Sequence, residues 1–226
     1  INEILKYPDD CAGSIMTTEY VSLRPNMTAG EAIQRIRCTG VDKETIYTCY
    51  ITERRKLVGI VSAKDLMTTD DNVPIKDLME TEIISVYTHA DQEQVAQLFT
   101  KYDLLALPVI DQDGRMVGIV TFDDAMDVME EEATEDMEKM AAITPTDKPY
   151  LKTGVVSTFK ARIPWLLLLM VSATFTGLII ANFENSLAVL PVLTAYIPML
   201  MDTGGNCGSQ SSVTVIRAIS LSEVDF

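Results

Sequence analysis

The chain has one histidine and one tryptophan among 226 residues, and its four cysteines are scattered. Each shortage closes a class of function. His89 stands alone in a polar segment without a recognisable acid or nucleophile beside it, and no Gly-rich phosphate loop occurs, so the chain is not read as an enzyme. Cys11, Cys38, Cys49 and Cys207 form no CxxC pair, which excludes the usual zinc spacings; they read as free thiols in a reducing compartment. Basic residues are also scarce, 18 against 33 acidic for a net charge of −15, so nucleic acid is excluded as a partner. The opening INEILKYPDD lacks the basic-then-apolar run of a signal peptide and reads as though cut from something longer.

The charge is unevenly spread. Residues 1–150 carry 14 basic and 29 acidic side chains, whereas residues 151–226 carry four of each. The densest stretch is DDAMDVMEEEATEDME, Asp123 to Glu138, with nine carboxylates and no basic residue. On a helix Asp124, Asp127, Glu131, Glu135 and Glu138 share one face, and Met126, Met129, Ala133, Met137 and Met140 line the opposite one. Like charges three or four residues apart each cost roughly 0.2–0.5 kcal/mol in an isolated helix, and a divalent cation is the simplest offset. Pro145 and Pro149, in the linker that follows, are expected to stop this helix.

The first 125 residues contain an internal repeat. SIMTTEYVSLRPNMTAGEAIQRI and TIYTCYITERRKLVGIVSAKDLM match DLMETEIISVYTHADQEQVAQLF and LLALPVIDQDGRMVGIVTFDDAM. Met16 corresponds to Met79, Gly59 to Gly118 and Asp65 to Asp124, an offset of 63 residues at the start and 59 at the end. Each copy predicts strand, helix, strand, turn, strand, helix. Helical spacing covers 29–37 and 90–99, and the β-rich runs are Tyr47–Ile51, Ala106–Ile110 and Met116–Val120. Asp111-Gln-Asp-Gly114 predicts a hairpin turn, and Arg54-Arg55-Lys56 takes its place in the first copy.

Ile163–Phe183 runs 21 residues without a charge, long enough to span about 30 Å of hydrocarbon as a helix. Trp165 suits the interface, and Lys152, Lys160 and Arg162 place its N-terminal side in the cytoplasm. A second apolar run from Leu187, read as one helix to about Arg217, predicts a return span. Its polar centre, Asp-Thr-Gly-Gly-Asn-Cys-Gly-Ser-Gln from Asp202 to Gln210, is tolerated at membrane depth only against protein or water. Gly204, Gly205, Asn206 and Gln210 are therefore candidate pore-lining residues, with close helix packing as the alternative for the glycines.

The endings Gly59-Ile-Val-Ser62-Ala-Lys-Asp65 and Gly118-Ile-Val-Thr121-Phe-Asp-Asp124 resemble those of tandem CBS domains. With the acidic EEEATEDMEKM segment and PMLMDTGGNCGSQ, the whole arrangement resembles the MgtE family of magnesium channels. The resemblance implies the end of a preceding helical domain (1–12), an α+β tandem CBS pair (13–70 and 71–125), a long acidic connecting or plug helix with its linker (126–150), and an α-helical transmembrane segment holding the first two membrane helices of an incomplete pore domain (151–226). It further implies a homodimer, multi-pass in the cell membrane with cytoplasmic CBS domains. The family's ion-selecting aspartate lies on a fifth span outside this sequence, so no selectivity-filter residue can be assigned.

What the family does is Mg²⁺ uptake, closed by high internal Mg²⁺ bound between the CBS pair and the connecting helix. By motif position Glu93, Asp103, Asp124, Asp127 and Glu135 match family metal ligands; charge density adds Glu131, Glu132 and Asp136. Mg²⁺ sheds water reluctantly, so one or two carboxylates per site suffice. The second implied ligand is an adenine nucleotide such as ATP, held by Thr121 and Asp124 or by Ser62 and Asp65; helix capping is the competing role and is favoured for Ser62. A CBS-bearing membrane regulator that senses nucleotide or ionic strength without conducting is the alternative function.

Overall fold

A computed structural model describes residues 7–146, 152–221 and 223–224. It divides into two units, Ile1–Glu130 and Glu131–Phe226. The segment 1–6, assigned above to a preceding domain, lies outside the described residues, as do Lys148 and Pro149 of the linker.

The first unit contains the repeat. Helix α1 (Ala12–Ile15) precedes β1 (Ser22–Leu23), α2 (Ala29–Thr39), β2 (Thr48–Glu53), β3 (Lys56–Ser62) and α3 (Ala63–Thr68). The second copy runs β4 (Val86–Tyr87), α4 (Gln92–Tyr102), β5 (Ala106–Ile110), β6 (Met116–Thr121) and the start of α5 (Phe122–Met140). Each copy makes a three-stranded sheet whose first two strands are parallel and whose last two form an antiparallel hairpin. Both sheets shift register near the outer end of the hairpin, at Ile51/Thr52 and at Val109/Ile110. Helix α2 starts where the sequence provides a capping box: the Thr28 hydroxyl accepts from the Glu31 N–H at 3.3 Å and the Thr28 N–H donates to Glu31 Oε2 at 3.0 Å.

Each repeat is completed by the segment that leads into the other. Ala12 and Met16, at the head of the first copy, are buried in the second copy's core with Val86, Val95, Phe99, Leu107, Val109, Val120 and Ala125. Met79, at the head of the second copy, packs on the first copy's core of Val21, Leu23, Cys49, Ile51, Val61, Leu66 and Ile75. The backbone repeats the exchange: Thr17 and Ile119 bond reciprocally at 2.8 and 2.9 Å, and Ile60 and Glu80 at 3.0 and 2.9 Å. A third cluster, Tyr50, Ala106, Met116 and Ile119, draws on strands of both sheets. There the Tyr50 hydroxyl is buried without a hydrogen-bond partner, and burial raises the pKa of Tyr50; it also pushes the neighbouring Cys49 thiol up to about 12.

The second unit holds the end of α5, then α6 (Val155–Asn182), α7 (Glu184–Val189) and α8 (Val192–Ser220). Among the described residues α6 is the one helix long and apolar enough to cross a membrane, and it begins eight residues before the uncharged run.

Two expectations are corrected. The single helix from Leu187 to Arg217 is two, because Pro191 disfavours helical geometry at Leu190, which sits at φ −134, ψ 82. Its second part, α8, has the length of a span but is less apolar than α6, its middle being the polar stretch from Asp202 to Gln210. The acidic helix ends at Met140, well before Pro145: Ala142 turns left-handed at φ 54, its N–H bonds Lys139 and that of Ile143 reaches back to Glu138. The periodicity did not say which side of α5 is buried, and it is not the methionine stripe. Met126, Met129 and Met137 are exposed, whereas Ala125 and Val128 are buried. The helix leaves β6 directly, and the end of that strand sets which side meets the sheet.

Candidate functional site

The terminal motif of each repeat folds the same way. Ser62 caps α3: its hydroxyl accepts from the Asp65 N–H at 3.0 Å and lies 2.6 Å from Asp65 Oδ2. In the second copy the buried Thr121 hydroxyl donates to Asp124 Oδ2, also at 2.6 Å. The Thr121 hydroxyl, and after it the N–H of Asp123, also hold the Asp123 carboxyl below its ordinary value. Each Ser/Thr is thus already partnered by the Asp three residues on, and Ser62 in addition fills the capping role weighed above. Ser62→Ala should therefore cost about 0.5–2 kcal/mol and Ser62→Gly only a few tenths, read as shifts of the urea midpoint.

The candidate metal ligands fall on two helices, α4 and α5. Glu93 sits in the first turn of α4, its N–H bonded to the Asp91 cap at 2.8 Å and its carboxylate accepting from Gln97 at 3.4 Å. Asp103 terminates the same helix in the left-handed region at φ 52, ψ 43, with its N–H on the Phe99 carbonyl. An Asp is one of the few non-glycine residues that adopts this conformation readily. Asp124 and Asp127 lie in the first two turns of α5, the former half-buried and the latter exposed. These four belong to the first unit.

Glu131, Glu132, Glu135 and Asp136 belong to the second unit, farther along α5. The sequence reading missed that Glu135 is already held: Lys139 Nζ lies 2.6 Å from its Oε1, and this bond raises the Lys139 pKa ahead of the charges of Glu135, Asp136 and Glu132. The i, i+4 spacing of Glu135 and Lys139 was the available signal. Among the described residues no three His, Cys, Asp or Glu side chains converge on one metal position. The fold therefore places Glu93, Asp103, Asp124 and Asp127 in one unit without closing them around an ion. Each can accept a hydrated cation through a single carboxylate, the mode of binding that suits Mg²⁺.

Gly204, Gly205, Asn206 and Gln210 all lie on α8 and are exposed. A Cβ on Gly204 or Gly205 would meet nothing within 4 Å, so no packing contact among the described residues accounts for these glycines. Asn206 donates to Asp202 at 3.4 Å, and Gln210 borders a shallow hollow with Ser211, Thr214 and Val215.

Two β–α–β–β–α copies, each ending in a hydroxyl–carboxylate pair and each completed by the other's leading segment, define a tandem CBS protein. The CBS domain model matches residues 12–71 and 75–131, more than half of the chain, and the chain belongs to the CBS-domain family. Within it, the resemblance to MgtE read from the sequence is shown. The chain is 40% identical over all 226 residues to the magnesium transporter MgtE of Thermus thermophilus, and 38% identical over 223 residues to that of Bacillus subtilis. It spans about half the length of these relatives, 50% and 49%. Among solved structures it is similar to the soluble part of a magnesium transporter (TM-score 0.58, 44% identity, covering 59% of this chain and 52% of that one). It is also similar to the cytosolic domain of the Mg²⁺ channel MgtE in complex with ATP (TM-score 0.55, 41% identity, 56% and 52%).

Proposed function

We propose that this chain is the sensing part, together with the first membrane-spanning part, of a Mg²⁺-selective channel for Mg²⁺ uptake. In this reading intracellular Mg²⁺ acts on the acidic surfaces of the CBS pair and α5, and high Mg²⁺ closes the path. The observation that carries it is α5 itself, with nine carboxylates from Asp123 to Glu138. Without a counterion these repel one another. With hydrated Mg²⁺ on Asp124 and Asp127, shared with Glu93 and Asp103 of the same unit, and on Glu132, Glu135 and Asp136 farther along α5, that repulsion is relieved. A site that binds only the packed state adds RT ln(1 + [Mg²⁺]/Kd), about 1.4 kcal/mol at ten times Kd, so several weak sites shift the population strongly. The likeness to MgtE supports the cargo, and α6 supports the membrane location, with the CBS pair on the cytoplasmic side. In the complete protein Gly204, Gly205, Asn206 and Gln210 line the path, and two copies assemble as a homodimer.

Trypsin cleavage after Lys139 tests the sensor. The full chain in neutral detergent is digested across a MgCl₂ series with ionic strength held constant by NaCl. Protection should rise steeply at millimolar Mg²⁺ and disappear in Asp124→Asn/Asp127→Asn/Glu135→Gln. Equal cleavage in MgCl₂ and matched NaCl would sink the reading. The regulator that senses nucleotide without conducting would then lead, since the likeness to an ATP-bound relative supports a nucleotide; ATP-dependent protection in the same assay would establish it.

A further inference from the structure

The tips of the two hairpins meet. β2 and β3 are joined by the two-residue turn Arg54-Arg55, and the loop between β5 and β6 ends at Arg115. Lys56 bridges Arg115 antiparallel, the Met116 N–H donates to the Arg55 carbonyl at 2.9 Å, and the Leu57 N–H to the Gly114 carbonyl at 3.4 Å. At the offset of 59, Lys56 corresponds to Arg115, Leu57 to Met116 and Arg55 to Gly114. The contact is therefore its own counterpart under the exchange of repeats, and it lies where the two copies are related to each other.

This places two equivalent cations directly opposite each other, an arrangement that destabilises a strand pair unless something offsets it. The turn beside them is also against local preference. Arg54 and Arg55 have φ 50 and 69, both in the left-handed region, where such a turn favours Asn-Gly. Arg54, Arg55, Lys56 and Arg115 are all exposed. Among the described residues Arg115 has an ion pair, to Asp113 at 3.2 Å, and none is formed by Arg54, Arg55 or Lys56. The neighbouring Asp111 accepts from the Asp113 and Arg115 N–H groups instead. In a chain of net charge −15, three unneutralised cations are thus held next to a fourth on a backbone fixed from both sides.

We infer that the paired hairpin tips form a binding site for a small multivalent phosphate anion, through Arg54, Arg55, Lys56 and Arg115. Guanidinium groups match phosphate oxygens in pairs, and Lys56 adds a point charge. The site is distinct from the hydroxyl–carboxylate pairs at Ser62 and Thr121, which stand at the opposite ends of β3 and β6.

The test is calorimetric titration of tripolyphosphate into the full chain, in neutral detergent and magnesium-free buffer. Saturable binding is expected, weakening as NaCl is raised. R54N/R55G should weaken it by about tenfold or more, since it removes two charge-assisted contacts. That variant installs the turn's preferred residues, so its thermal midpoint should not fall. K56Q/R115Q is a second variant and should weaken binding comparably, whereas S62A/T121A should leave it unchanged. Absence of binding, affinity in R54N/R55G and K56Q/R115Q unchanged from that of the unsubstituted chain, or loss in S62A/T121A instead would overturn the inference. Binding to phosphatidylglycerol vesicles that is lost in R54N/R55G, with no binding of tripolyphosphate, would overturn the free-anion assignment in favour of a lipid headgroup.

Discussion

Phe99→Ala is expected to lower the stability of the CBS pair by about 3–5 kcal/mol, a large part of the roughly 5–15 kcal/mol that holds an ordinary domain together. Phe99 is 1% exposed in the middle of α4. The second core that it shares draws on five other elements: α1 and its C-cap through Ala12 and Met16, β4 through Val86, β5 through Leu107 and Val109, β6 through Val120, and α5 through Ala125. A cavity there cannot be filled by one element settling inward, because the walls belong to elements anchored elsewhere. Phe122 is the comparison. Its ring lies 6.4 Å from that of Phe99, but the side chain is 47% exposed, so Phe122→Ala should cost markedly less. The check is the urea midpoint by circular dichroism with the slope unchanged, and a loss in Phe99→Ala no greater than in Phe122→Ala would refute the packing argument.

The elements of the repeat were legible because each is decided locally. Thr28 and Glu31 cap α2 by their spacing alone, Gly114 takes φ 75 in the turn that Asp111-Gln-Asp-Gly predicted, and the strand–hairpin–helix order recurs with the motif. What was not legible depends on contacts distant in sequence. Periodicity gave α5 a methionine face and an acidic face, but it does not say which side meets the sheet, and Ala125 and Val128 rather than the methionines are buried. Nor does it show that Met16 serves the second core and Met79 the first. In the candidate site, the Ser62–Asp65 cap was readable from a three-residue spacing. The pairing of Glu135 with Lys139 was equally readable from its spacing and was overlooked. The juxtaposition of Lys56 with Arg115 was hidden, since it needs both hairpins to be in place.

Gly118→Ala should cost more than Gly59→Ala, although the two glycines are equivalent by motif. Both lie on the last strand of their sheets, facing the segment donated from the other repeat. A Cβ on Gly118 would fall 2.6 Å from the Thr17 carbonyl oxygen and 2.9 Å from Met16 Sδ. That carbonyl is the acceptor for the Ile119 N–H, so moving it strains the reciprocal pair that ties the first copy's leading segment to β6. The three atoms nearest to a Cβ on Gly59 all belong to the Met79 side chain, with Sδ at 2.7 Å and Cβ and Cγ at 3.1 Å. A flexible thioether can turn aside where a hydrogen-bonded carbonyl cannot. Overpacking of this kind costs about 1–3 kcal/mol; Gly118→Ala belongs at or above the upper end and Gly59→Ala at the lower. The double variants separate the causes. Met79→Ala should relieve much of the Gly59→Ala penalty, because it removes the obstructing atoms beyond Cβ, whereas Met16→Ala should leave most of the Gly118→Ala penalty in place, because the nearest obstruction is backbone. Equal relief in the two cycles would mean that the carbonyl moves freely, and that the exchange between repeats rests on Met16 and Met79 rather than on the backbone pairs at Thr17 and Glu80.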